Sequence, residues 1–200
     1  MSESGAAQPR GWRRWFAPGP APGYRAGATL ARVARDLQAA SCEADGVVAA
    51  RGRLTLDGGL ALAAEECVER QFLMHTVLVR LSLKVPGPAA RGRATIGQQG
   101  WWRRTGVAAR LGPDADDAFA RRVAALLDTA ALGRALAALD LTYCAIDADA
   151  HGWTLCVVPF GGSEVVSRMP SFRRYIRVTD AQRAALLAAF QAFAAGLAQI

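Results

Sequence analysis

The sequence has little of what usually marks a catalytic or metal-binding protein. It holds two histidines, His75 and His151, far apart in the chain. Its four cysteines, Cys42, Cys67, Cys144 and Cys156, are widely spaced with no C-x-x-C pair, and two fall in apolar, strand-like runs. That pattern excludes a readable zinc site or disulfide scaffold and fits buried thiols in a reducing compartment. No stretch of about 18 apolar residues occurs, and Gln182, Arg183 and Gln191 interrupt the alanine-rich C-terminus, so a membrane-spanning helix is not expected. The N-terminus has arginines but no unbroken apolar stretch before a cleavage site, so no signal peptide is expected either. These absences favour a cytoplasmic protein with no metal and no cofactor.

Lysine is also nearly absent, Lys84 being the only one, and aromatics make up 8%. What the chain does have is arginine, alanine and glycine. Hydrophobic residues reach 52% and charged ones 20% over 200 residues, enough for one domain with a real core. The net charge of +7 attracts anions: nucleic acid, phosphate-bearing ligands, acidic proteins or lipid head groups. The same charge is equally compatible with a basic, solvated surface.

Residues 1–26 read as a poorly ordered arm, since Pro9, Pro18, Pro20 and Pro22 alternate with Gly11, Gly19 and Gly23. The arm contains Trp12-Arg13-Arg14-Trp15-Phe16, a mixture of rings and cations suited to a membrane surface or a nucleic-acid strand. Those rings could equally fold back onto the domain. Residues 27–200 read as that domain. Leu30, Val33 and Leu37 give a helix over 28–40. Strands are expected over 46–56, 60–68, 72–85 and near 95–104, with Asp57-Gly58-Gly59 turning between the first two. Asp114, Asp116 and Asp117 open a helix that a shorter one follows after Thr129. A hairpin over 141–158 turns at Asp149–Gly152. Thr179-x-x-Gln182 forms a capping box for the last helix. The expected fold class is α+β: an antiparallel sheet of about five to six strands with three to four helices packed on it.

Few residues suggest chemistry. His75 lies mid-strand among apolar neighbours. Glu65 and Glu69 share a strand face while Glu66 takes the other. With Glu164 and His75, Glu66 would make an acid/base site only if all three converged. Gly161-Gly162-Ser163 is neither a nucleophile elbow nor a Walker loop, yet two glycines before a serine can present backbone N–H groups to an anion, or simply turn the chain. The least regular stretch is Pro159–Arg177, read as a long loop rich in large apolar side chains. It carries Arg168, Arg173, Arg174 and Arg177 against Glu164 alone. Such arginines can fork onto phosphate or carboxylate, or pair with the protein's own acids. A second basic segment, 91–110, includes Arg103 and Arg104 beside Trp101 and Trp102. The candidate binding residues are therefore Arg103, Arg104, Arg168, Arg173, Arg174, Arg177, Ser163, Glu164 and His75. No catalytic residue is assigned.

The segments Pro22–Leu30, Gln71–His75 and Pro159–Arg177 resemble a small proteobacterial family catalogued as a domain of unknown function. That resemblance implies a bacterial cytoplasmic protein and assigns no activity. The order of elements is also similar to type III secretion chaperones, which implies a possible homodimer that holds an extended client. The leading expectation is a non-enzymatic binding module for an anionic ligand, nucleic acid or acidic protein, using segments 91–110 and 168–177. An enzyme near His75 and Glu66, and a chaperone-like adaptor, are the alternatives.

Overall fold

The computed structural model describes residues 21, 23–45, 48–99 and 106–198. The expectations for Trp12–Phe16 and for Arg103 and Arg104 lie outside the described residues. Helix α1 (Ala28–Asp36) precedes six strands: β1 (Ser41–Asp45), β2 (Val48–Thr55), β3 (Ala61–Arg70), β4 (Met74–Val85), β5 (Gly92–Gln99) and β6 (Gly106–Leu111). Helices α2 (Asp117–Asp128) and α3 (Ala130–Ala137) follow. Four more strands, β7 (Leu141–Asp149), β8 (Gly152–Pro159), β9 (Ser163–Arg168) and β10 (Ser171–Ile176), lead to α4 (Asp180–Ala198). No helix among the described residues is long and apolar enough to cross a membrane.

The fold is α+β with four α-helices, and every strand pairing is antiparallel within one ten-stranded sheet. The expectation of five to six strands was too low, because β1, β6, β9 and β10 were not recognised. β1 (SCEAD) is a short edge strand, mostly exposed and without apolar alternation. β9 and β10 mix arginine, serine and valine on both faces, so no period-2 pattern separates them from a loop.

The sheet runs β1-β2-β3-β4-β8-β7-β5-β6, and β9 and β10 extend from β4 as a wing. β8 and β9 lie end to end along the same edge of β4. β8 pairs with Leu81–Val85 and β9 with Met74–Val77. The kink between them falls at Phe160–Gly162. Phe160 there donates its N–H to Asp140 at 2.7 Å, and Gly162 donates to Ile176 at 2.7 Å. Gly162 has φ 87°, and a Cβ there would meet Val33 Cγ2 at 2.8 Å, so the kink needs glycine for both its conformation and its packing.

All four helices pack on one face of the sheet. There Leu54, Leu62, Leu81, Ile146, Leu155 and Val157 meet Val33, Phe119, Leu136, Phe190 and Phe193 in one buried cluster. Each strand contributes every second residue to that face. Trp153 anchors the centre, stacked on Phe119 with ring centroids 5.2 Å apart and donating its indole N–H to Pro88 at 2.8 Å. Among the described residues the opposite face holds a small apolar cluster of Cys67, Leu78 and Val158. On that face Arg51 and Arg80 both pair with Glu65, and Arg93 pairs with Asp147.

Helix ends are satisfied by the residue types the sequence placed there. Asp116 caps α2 by accepting the Phe119 N–H at 2.7 Å. The Thr179/Gln182 capping box is complete, with Thr179 N–H donating to Gln182 Oε1 at 3.1 Å and Gln182 N–H to Thr179 Oγ1 at 3.2 Å. α1 has no side-chain cap of its own: Gly27 occupies its N-cap in a left-handed conformation. Its cap comes from β3 instead.

Candidate functional site

The strand register places most of the singled-out residues on the wing. Arg70 of β3, His75 of β4, Val166 of β9 and Arg173 of β10 are directly opposed in one row across four strands. The next row is Val68, Val77, Glu164 and Tyr175. Both rows face α1. Arg168 and Ser171 form the last row, at the tip of the β9–β10 hairpin. One hairpin therefore aligns Arg168, Arg173, Glu164 and His75 on a common face, although His75 lies some ninety positions earlier in the chain.

Glu164 is 4% exposed and sits between two guanidinium groups. Arg32 of α1 donates to its Oε1 at 2.8 Å, and Arg173 Nε lies 3.9 Å from the same oxygen. Arg32 also lies over the Tyr175 ring, 5.4 Å from its centroid. Asp36, at the other end of α1, accepts from Tyr175 Oη at 2.9 Å and Val178 N–H at 3.0 Å, and pairs with Arg177 at 3.5 Å. Burial, the hydrogen bond to Asp36 and that carboxylate's charge all push the Tyr175 hydroxyl well above its ordinary pKa.

His75 is 6% exposed, and its Nε2 has no hydrogen-bond partner among the described residues. Burial holds its pKa below the ordinary 6.5; Arg173, Arg70 and Arg168 lower it further and Glu164 partly opposes them. The imidazole is thus neutral at physiological pH, within a positive field. It lines a cleft of about 190 Å³ with Arg70, Arg168, Gln71, Phe72, Leu73, Met74 and Ala21. Arg173 reaches across to donate to the Gly23 carbonyl. Arg168 and Arg174 have no carboxylate partner among the described residues.

Glu66 does not join this group. It lies four residues along β3 from Arg70, the residue opposite His75, so about 13 Å of strand separates the two rows. Both its oxygens are occupied: Oε2 accepts from Tyr24 Oη at 2.7 Å and Gly27 N–H at 2.9 Å, and Oε1 accepts from Leu30 N–H at 2.7 Å. Glu66 thus caps α1 from the sheet, where a carboxylate complements the positive end of the helix. Tyr24 and Ala21, read from sequence as part of the arm, pack here, with Ala21 3% exposed. Burial and Glu66 push the Tyr24 hydroxyl well above its ordinary pKa.

Ser163 is fully buried, so its hydroxyl does not reach solvent. Nor do the described residues of the two basic segments come together. β5 and β6 lie beyond β8 and β7 from the strand that carries the wing, and Arg93 of that region is paired with Asp147. Sequence reasoning missed Arg32, Asp36, Tyr24 and Tyr175, whose partners lie 42–142 residues away. Among the described residues no group of three His, Cys, Asp or Glu is placed to hold a metal ion.

A family model described as Protein of unknown function (DUF3156) matches residues 35–197. The chain belongs to that family. The matched span begins at the last turn of α1 and ends at the last turn of α4, so it takes in the whole sheet and the wing. No curated protein and no solved structure matches the chain.

Proposed function

We propose that this protein is a non-enzymatic binding module for an anionic or acidic partner, engaged at the wing formed by β9, β10 and α1. One observation carries this reading. The wing concentrates Arg32, Arg168, Arg173, Arg174 and Arg177 around two carboxylates, Glu164 and Asp36, that are already shared among Arg32, Arg173 and Arg177. Arg168 and Arg174 are left exposed without a carboxylate among the described residues, Arg168 at the cleft that holds the buried His75 and Arg174 on the other face of the hairpin. On the sheet outside the wing, Arg51 and Arg80 share Glu65, and Arg93 pairs with Asp147. Two arginines without a carboxylate on one hairpin, Arg168 and Arg174, with three more on the elements around it, fit anion recognition. Glu66, the other half of the sequence-based acid/base pair, is committed to the helix cap, so no observation favours catalysis.

The test is fluorescence anisotropy of a labelled polyanion, heparin or a single-stranded oligonucleotide, titrated with the full chain at several salt concentrations. Binding at low salt that weakens as salt rises is expected, because each phosphate neutralised releases counterions. For the oligonucleotide, Arg168→Glu with Arg174→Glu should lower the slope of log K against log salt by about 0.7 per lost contact. No binding to either polyanion at low salt, or a double variant with the wild-type slope, would remove the proposal.

A further inference from the structure

Seven large hydrophobic side chains are exposed among the described residues, and four of them lie on two adjacent turns. Phe72 is 96% exposed and Leu73 40%, both in the turn between β3 and β4. Met169 is 74% exposed in the turn between β9 and β10, and Phe172 is 45% exposed at the start of β10. The two turns are fastened together: Arg168 donates its N–H to the Leu73 carbonyl at 2.9 Å, and Met74 pairs with Ser167. The remaining three, Val48, Leu111 and Phe160, come from separate elements, as isolated surface apolar residues normally do. A cluster confined to one end of the sheet calls for a partner.

Arginines border this apolar tip on both faces of the sheet. Arg70, Arg168 and Arg173 lie on the face toward α1, and Arg174 on the other. Exposed Phe, Leu and Met projecting beyond a collar of guanidinium groups match the layering of a bilayer surface, where acyl chains lie beneath a sheet of phosphates. A nucleic-acid strand would use the rings and the arginines but would have no use for Leu73 and Met169. The chain also enters the described fold here, since Ala21 lines the same cleft as Phe72 and Leu73. The sequence just before it, Trp12-Arg13-Arg14-Trp15-Phe16, has the same combination of rings and cations.

Resting on the anion-binding reading above, we infer that the anionic partner is a lipid bilayer, with Phe72, Leu73, Met169 and Phe172 entering the interface while Arg168 and Arg174 contact lipid phosphates. It is tested by co-sedimentation of the full chain with vesicles of phosphatidylglycerol and phosphatidylcholine, and with vesicles of phosphatidylcholine alone. Binding to the mixed vesicles and at least tenfold weaker binding to the neutral ones is expected. Phe72→Ser with Met169→Ser changes two side chains that make little contact with the fold, so its melting temperature should match the wild type. It should lose at least tenfold in partitioning onto mixed vesicles while its heparin affinity changes by less than twofold. The inference is overturned if the wild type does not sediment with mixed vesicles, or if the double variant partitions as the wild type does. Failure on vesicles with retained oligonucleotide or heparin binding would overturn the lipid assignment and leave the anion-binding reading standing. Failure on vesicles, heparin and oligonucleotide together would remove both.

Discussion

Replacing Glu66 with alanine should be among the most damaging single changes in this fold, although its position on β3 reads like that of an ordinary strand acid. The side chain is 7% exposed and accepts three hydrogen bonds within 2.9 Å, two from the first turn of α1 and one from Tyr24. Alanine would leave two helix N–H groups and a phenol without an acceptor. Each buried donor so abandoned costs about 1–3 kcal/mol, and water reaching the partly exposed Tyr24 would recover some of it, so about 3–5 kcal/mol is expected. Glu66→Gln keeps one oxygen and turns an NH₂ toward the remaining donor, for about 2 kcal/mol. Tyr24→Phe removes one bond, for about 1 kcal/mol. Urea unfolding followed by far-UV circular dichroism measures all three. In a chain of this size the alanine variant should melt about 6–20 °C lower. The double-mutant cycle of Tyr24→Phe with Glu66→Ala should be non-additive, since the two groups share one bond. A loss below about 0.5 kcal/mol in Glu66→Ala, or strict additivity, would show that α1 does not depend on a cap supplied by the sheet.

Four further outcomes follow from the same structure. Gly162→Ala places a Cβ 2.8 Å from Val33 Cγ2 at a residue with φ 87°, and should cost about 2 kcal/mol in urea unfolding, whereas Gly58→Ala, with open space around it, should cost less. His75 has its pKa depressed below 6.5 in the fold, so the stability it contributes is present above that value and is lost as pH falls. The wild-type urea midpoint should therefore drop below pH 6.5 more steeply than that of His75→Gln, and its ring resonances should titrate below 6.5, moving upward when heparin offsets the arginine field. Cys42 is exposed whereas Cys67, Cys144 and Cys156 are buried, so a thiol reagent should modify one cysteine quickly and the other three only on unfolding. Burial pushes the Cys67 thiol from 9.0 up to about 12, so stability should also fall as pH rises above about 9, as the unfolded thiol ionises first.

What could be read from the sequence was local. Helix α1 was legible because Leu30, Val33 and Leu37 repeat at helical spacing, and the start of α4 because Thr179 and Gln182 satisfy each other three residues apart. The β7–β8 hairpin was legible because Trp153, Leu155 and Val157 alternate with their neighbours around a turn. The wing was not, because its strands lack that alternation: Glu164 and Val166 share one face, Ser163 and Val165 the other, and Pro170 falls in the turn. A strand held by β4 on one side and by its own hairpin on the other needs no apolar period of its own. Phe72 misled in the opposite sense, since it continues the pattern of β4 by eye but sits in the turn before that strand begins.

The site shows the same division between residue type and topology. Arg168, Arg173, Arg174, Arg177, Glu164 and His75 were identifiable by their chemistry, and the hairpin does gather them on one wing. Which charges remain for a partner was decided by residues with no local signal. Arg32 takes Glu164 from a position 132 residues away, and Asp36 anchors Tyr175 from 139 away. Arg32 neutralises Glu164, Asp36 takes Arg177, and among the described residues Arg168 and Arg174 are left without a carboxylate. The same packing explains why His75 can stay buried and neutral without a partner on Nε2. The field around it is set by arginines held at fixed register, and an anion at the cleft would act on His75 and on Arg168 together. The proposed binding surface is therefore a product of α1 docking on the wing, and Glu66, through the cap that seats α1, acts on it from outside the site.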